Sequence, residues 1–173
     1  MSKVLVGIEK INEVLNEFLA EFDPELKADM GTEFCYWITD NKIEYSLMMP
    51  AVAEDHFMRN FNLLAPDIDC DSFLASFLHE LGHHQTLEMI EDDQFIECIN
   101  AKREIAIKGE AEGLSEETIW ELHKQYFDLP DEYEATMWAI NFIRDNIEKI
   151  RVFWKKVSDA IMNFYFENDI ELG

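Results

Sequence analysis

The sequence predicts an α+β fold, mainly helical, with one small antiparallel β-sheet. Apolar residues recur at helical spacing through most of the 173 residues. One stretch, residues 33–48, is instead rich in aromatic and β-branched residues, which favours strands. With 6 Gly and 4 Pro, the chain has no linker-like or repetitive segment. We therefore expect a single domain over residues 1–173.

The first two elements follow from a change of period. Residues 4–22 place Ile8, Ile11, Phe18 and Leu19 at helical spacing, and Asp23-Pro24 ends this predicted helix. Two short runs, residues 33–38 and 42–48, come next and are separated by Thr39-Asp40-Asn41. This pattern predicts a β-hairpin over residues 33–48.

The middle of the chain returns to helical spacing. A helix is expected between Pro50 and Pro66. The next helix has Asp69 or Asp71 as its N-cap, and its apolar face continues towards Leu87 and Ile90. That face consists mainly of Phe73, Leu74, Phe77, Leu78 and Leu81. The wide apolar stripe indicates a helix packed against the core.

Four further helices are expected in the second half of the chain. Residues 94–108 carry helical spacing, and a break at residues 109–113 separates them from a helix over residues 116–127 with Ser115 as N-cap. Pro130 suits the first position of the next helix. Residues 147–166 repeat the pattern and predict the last one.

The charge of the chain excludes some partners. It carries 37 acidic and 14 basic side chains, a formal net charge of −23. A field of this sign repels phosphate backbones and anionic membranes, so direct nucleic-acid or membrane binding is not expected. The same field attracts basic proteins or peptides.

The cellular location is predicted to be cytoplasmic. The N-terminal apolar run is too short for a secretion signal, and no stretch reaches the roughly 20 apolar residues of a membrane span. Cys35, Cys70 and Cys98 are odd in number and widely spaced. Such cysteines are typical of a reducing compartment.

The chemistry of the chain is concentrated in His79-Glu80-Leu81-Gly82-His83. Two histidines four residues apart on a helix differ by about 40° in direction and about 6 Å in height, so both can bind one cation. Glu80 lies where it can accept a proton from a metal-activated water. The H-E-x-x-H motif therefore predicts a zinc site with His79 and His83 as ligands and Glu80 as general base.

A catalytic zinc takes three protein ligands and keeps one position open, so a third ligand is required. We expect it in the helix that follows Pro130, with Glu134 as the preferred residue and Glu132 as the alternative. His84 points about 100° away from His83 and is not expected to join them. His56 and His123 are predicted to be partly buried, hydrogen-bonded residues.

Taken together, His79-Glu80-Leu81-Gly82-His83 and the later Glu132-Tyr133-Glu134-Ala135-Thr136-Met137-Trp138-Ala139 resemble the ImmA/IrrE-type metallopeptidases, which are compact gluzincin-like domains. In that family, H-E-L-G-H is followed by a helix reading E-x-E-A-x-x-F-A, whose second glutamate falls on Glu134. The resemblance implies a zincin-like fold, Zn²⁺ and endopeptidase action on protein partners. The longer spacing between the motifs makes residues 91–127 a helical insertion.

The predicted function is therefore that of a zinc metallopeptidase acting on a protein or peptide substrate, for which the charge favours basic segments. The alternative is a non-catalytic, acidic interaction protein on the same fold. Such a protein would act as a decoy for a basic partner, or as a mimic of nucleic-acid charge. The sequence leaves the oligomeric state undetermined.

Overall fold

A computed structural model describes residues 7–47 and 51–170, with only the backbone for residues 51–53. Within these ranges, seven α-helices and a three-stranded sheet confirm the predicted α+β class. The helices are α1 (Ile8–Leu19), α2 (Ala51–Leu64), α3 (Ser72–Thr86), α4 (Asp92–Gly109), α5 (Glu116–Phe127), α6 (Pro130–Asp145) and α7 (Ile147–Glu167). The strands are β1 (Lys27–Met30), β2 (Cys35–Trp37) and β3 (Lys42–Tyr45).

The chain contacts define two compact units. One unit comprises residues 49–144, and the other comprises residues 1–48 together with residues 145–173. The expectation of a single domain over residues 1–173 stays a prediction. None of the helices in the described ranges is both long enough and apolar enough to cross a membrane.

The unit that contains the sheet confirms the predicted hairpin. Strands β2 and β3 pair antiparallel, with Tyr36 opposite Ile43; Met48, at the end of the predicted range, lies outside the described residues. The sheet also contains β1, which the sequence analysis did not predict and which pairs parallel to β3, with Ala28 opposite Ile43. Asn16 on α1 accepts a hydrogen bond of 2.8 Å from the backbone N–H of Ala28. This bond fixes β1 against α1.

Side-chain caps mark the beginnings of α3 and α5. The Asp71 side chain accepts a hydrogen bond from the N–H of Phe73 at 2.9 Å, and Ser115 accepts one from the N–H of Thr118 at 3.1 Å. Both caps were predicted, as was Pro130 as the first residue of α6. Helix α3 ends at Thr86, short of the expected Ile90, and a 3₁₀ turn (Leu87–Met89) follows it.

Gly82 is the point of close approach between α3 and α6. A Cβ atom at this position would lie 2.3 Å from the carbonyl oxygen of Ala135 and 2.9 Å from its Cα. These are backbone atoms of a helix, so they cannot rotate out of the way as a side chain can. A hydrogen at residue 82 is therefore required for the observed spacing of the two helices.

We expect Gly82→Ala to lower the free energy of unfolding by about 2 to 3 kcal/mol, because the added methyl group must push α3 away from α6. Gly109→Ala makes the same change where nothing lies within 4 Å. That control should leave stability unchanged or raise it by up to about 1 kcal/mol. Urea unfolding of the two variants measures both effects; equal stability would contradict the tight helix contact.

Candidate metal centre

Three side chains from two helices meet at the contact between α3 and α6. They are His79 and His83 from α3 and Glu132 from α6, and each offers one ligand atom within 4.8 Å of the other two. His79 and Glu132 are buried, with exposed fractions of 5% and 2%. The predicted convergence of the two imidazoles is confirmed, since their ring centroids lie 4.6 Å apart. This group could hold a metal ion.

The carboxylate of Glu132 lies between the two imidazoles. Its Oε2 atom is 3.0 Å from Nε2 of His79, and its Oε1 atom is 3.5 Å from Nε2 of His83. Burial alone raises the pKa of Glu132, but hydrogen bonds from the two histidines and their charges hold that pKa well below its usual value. The carboxylate is therefore ionised, as a metal ligand must be.

Thr136 orients His79. Its hydroxyl donates a hydrogen bond of 2.9 Å to the carbonyl oxygen of Glu132, one turn earlier on α6. The same hydroxyl oxygen lies 3.0 Å from Nδ1 of His79, and because its own hydrogen is used, it accepts there. Nδ1 of His79 therefore carries a proton. This is the kind of outer partner that fixes the tautomer of a metal-binding histidine.

The tautomer of His79 has a consequence for its other nitrogen. In a neutral imidazole protonated at Nδ1, Nε2 carries a lone pair and no hydrogen. Nε2 of His79 lies 3.0 Å from the ionised Oε2 of Glu132. Two acceptors at this distance repel each other unless a cation or an additional proton lies between them. A proton on Nε2 lets His79 donate its hydrogen bond to Glu132, and a bound metal ion would take the place of that proton.

The structure corrects the preferred third ligand. Glu134, the favoured residue in the sequence analysis, has an exposed side chain and is not part of the group; Glu132, the alternative, takes that place. Two residues two positions apart on a helix point about 200° apart, so only one of them can face α3. The buried positions of α6, including Ala135 and Ala139, share the side of Glu132.

Two residues that sequence reasoning missed come from the predicted insertion, residues 91–127. Lys102 of α4 contacts Oε1 of Glu132 and lies 2.5 Å from Oδ2 of Asp131. Burial lowers the pKa of Lys102, but the charges of Glu132 and Asp131 raise it more, so the pKa is above its usual value. Tyr126 of α5 lies close enough to Glu132 for that carboxylate to raise its pKa. Burial and the charges of Glu132 and Glu80 raise the pKa of this phenol, which keeps it a donor.

Glu80, the predicted general base, follows His79 on α3 and is 8% exposed. Consecutive helix residues differ by about 100° in direction, so Glu80 points beside the group rather than into it. Its charge is close enough to Tyr126 to raise the pKa of that phenol. A buried carboxylate therefore stands near the three grouped residues without being one of them.

The remaining histidines agree with their predicted roles. His56 of α2 is buried, and its Nδ1 lies 2.9 Å from Nδ1 of the half-buried His123 on α5. Burial and the neighbouring His56 lower the pKa of His123. His84 is hydrogen-bonded to Gln85 at 2.9 Å and is not part of the metal group.

Comparison of the chain with models of known protein families, with curated proteins and with solved structures finds no match. The resemblance to ImmA/IrrE-type metallopeptidases therefore stays a prediction that depends on two short motifs.

The choice between the two glutamates can be tested with zinc as the probe ion. Glu132→Gln should weaken zinc binding by about 100-fold or more, because an amide oxygen replaces the ionised ligand. Glu134→Gln makes the same change two residues away and should leave the affinity unchanged. Competition with a chromophoric chelator measures both. Loss of zinc from the Glu134 variant alone would restore the original assignment.

The role of Thr136 gives a separate expectation. Thr136→Val keeps the shape of the side chain but removes the acceptor for Nδ1 of His79, so zinc affinity should fall by about 10- to 100-fold. Thr118→Val, at an exposed position of α5, is the control. If both variants bind zinc as tightly as the unaltered protein, Thr136 does not orient His79.

Proposed function

We propose that the protein is a zinc-dependent metallopeptidase. The observation that carries this proposal is the buried group of His79, His83 and Glu132, with the carboxylate of Glu80 beside it. Two imidazoles and one carboxylate are a ligand set found in catalytic zinc sites of peptidases. Structural zinc sites instead close all four positions, usually with Cys and His.

The spacing of the donor atoms supports the binding of one metal ion. Ligand atoms at about 2.0 to 2.1 Å from a tetrahedral ion lie about 3.3 Å from each other. In this group, Nε2 of His79 is 3.0 Å from Oε2 and Nε2 of His83 is 3.5 Å from Oε1 of Glu132, and one ligand atom from each residue lies within 4.8 Å of the others. A divalent cation would replace the proton in the hydrogen bond between Nε2 of His79 and Oε2 of Glu132. When bound, zinc supplies a Lewis acid that polarises a carbonyl group and acidifies water.

Glu80 serves as the general base. Its carboxylate accepts the proton of the water that attacks the scissile carbonyl, and then returns this proton to the leaving amine nitrogen. Burial suits this role because a poorly hydrated carboxylate is a better proton acceptor than an exposed one. The spacing of one helical turn on α3 keeps the imidazoles of His79 and His83 side by side. The hydrogen bond between Nδ1 of His79 and Thr136 leaves Nε2 as the nitrogen that binds the metal.

The proposed substrate is a protein or peptide with basic segments. The net charge of −23 produces a field that concentrates cationic chains near the protein and repels acidic ones. Because this attraction is long-ranged and mostly between exposed groups, salt should weaken it. Lysine- and arginine-rich peptides are therefore the first substrates to assay.

The same charge supports a second candidate, a non-catalytic acidic protein that binds a basic partner. This candidate needs the charged surface but not Glu80. Only the peptidase requires the carboxylate of Glu80, so a substitution of Glu80 distinguishes the two candidates.

We expect Glu80→Gln to retain zinc but to lower kcat/KM for a lysine-rich fluorogenic peptide by about 10²- to 10⁴-fold, because the proton acceptor is lost. Glu88→Gln, at an exposed position in the turn after α3, is the matched control and should keep full activity. Equal cleavage by the two variants would remove Glu80 from the mechanism. Zinc-loaded protein that cleaves no basic peptide, yet binds one in a salt-sensitive way, would favour the second candidate.

A further inference from the structure

Lys102 lies at the candidate metal centre although no metal-ligand motif includes it. It is the one side chain of α4 that contacts Oε1 of Glu132 among the described ion pairs, and it also contacts Asp131. The lysine side chain is 25% exposed, whereas the two carboxylates are only 3% and 4% exposed. The ammonium group of Lys102 therefore partly neutralises two nearly buried carboxylates.

The charges of this cluster show why the lysine is needed. Asp131 and Glu132 contribute two negative charges and Lys102 one positive charge, which leaves a net charge of −1. Without Lys102, Asp131 would lose its one partner among the described ion pairs, and Glu132 would keep only the two imidazoles, an arrangement that opposes folding. Oδ1 of Asp131 has no hydrogen-bond partner, so the lysine is the main compensation for that side chain.

The same ammonium group opposes a metal ion. A divalent cation held by His79, His83 and Glu132 would stand only a few ångströms from the nitrogen of Lys102, because both bind the same carboxylate. Like charges at such a distance repel, and in a partly buried site water screens them poorly. Lys102 and the metal thus compete for Glu132.

We propose that Lys102 is a built-in counter-ion of the metal centre, which stabilises the fold without metal and weakens metal binding. This inference rests on the proposed zinc site. It gives Lys102 a role that acts through Glu132, so the lysine is a positioning residue and not a catalytic one. If Lys102 served only to hold Glu132 in place, its removal would instead loosen Glu132 and weaken zinc binding.

The experiment compares Lys102→Met with Lys108→Met, which removes the same charge from an exposed position of α4. Zinc affinity is measured by chelator competition, and thermal unfolding is recorded in EDTA and in excess zinc. Lys102→Met should bind zinc about tenfold tighter or more, since the repulsion is gone. It should also be less stable than the control in EDTA and regain stability with zinc. Lys108→Met should match the unaltered protein in both measurements.

Two further variants keep the test decisive if Lys102→Met does not fold without metal. The double variant Lys102→Met with Asp131→Asn preserves the net charge of −1 in the cluster and should also bind zinc more tightly. Lys102→Arg retains the positive charge, so its zinc affinity should stay close to that of the unaltered protein.

The outcomes distinguish this inference from the proposed function. Unchanged or weaker zinc binding both in Lys102→Met and in the double variant would overturn the counter-ion role. The proposed zinc site and peptidase activity of the unaltered protein would not be affected by that result. Failure of the unaltered protein and of every variant to bind zinc would overturn the inference and the proposed function together. Tighter zinc binding without any peptide cleavage would support the counter-ion and contradict only the peptidase.

Discussion

The candidate site depends on the close contact between Gly82 and Ala135. On α3, the two histidines lie three residues before and one residue after Gly82; on α6, Glu132 and Thr136 lie on either side of Ala135. Helices α3 and α6 therefore come closest to each other where His79, His83 and Glu132 meet. Gly82 has two functions here, because it shortens the distance between backbones and thereby sets the distance between ligand atoms.

Buried charge is the second constraint on this part of the chain. Glu132 is surrounded by donors and cations from three other helices, namely the imidazoles of α3, Lys102 of α4 and Tyr126 of α5. An ionised carboxylate with 2% exposure would be costly without them. Helices α4 and α5, predicted as part of an insertion over residues 91–127, thus supply two of the groups around this carboxylate.

Local features of the sequence predicted much of this structure, and features that depend on tertiary packing were missed. The spacing of His79 and His83 and the cap at Ser115 are set by helix geometry within a few residues, so both predictions were confirmed. The choice of Glu134 followed a family pattern, and the structure does not support it. The helical spacing of the small and apolar residues Ala135, Ala139 and Ile140 already indicated that Glu132 lies on the buried side of α6. No local pattern in the sequence identifies Lys102. Strand β1 was not predicted because its pairing with β3 is non-local.

The order in which the ligands leave the ribosome follows from their positions. The histidines are adjacent turns of one helix, but Glu132 follows His79 by 53 residues. At about 5 to 20 residues per second, synthesis takes roughly 3 to 10 s to cover that distance. During this interval the nascent chain displays two imidazoles without their carboxylate, and Lys102 emerges before its acidic partners. The three residues of the candidate metal centre can therefore come together only after α6 has been made.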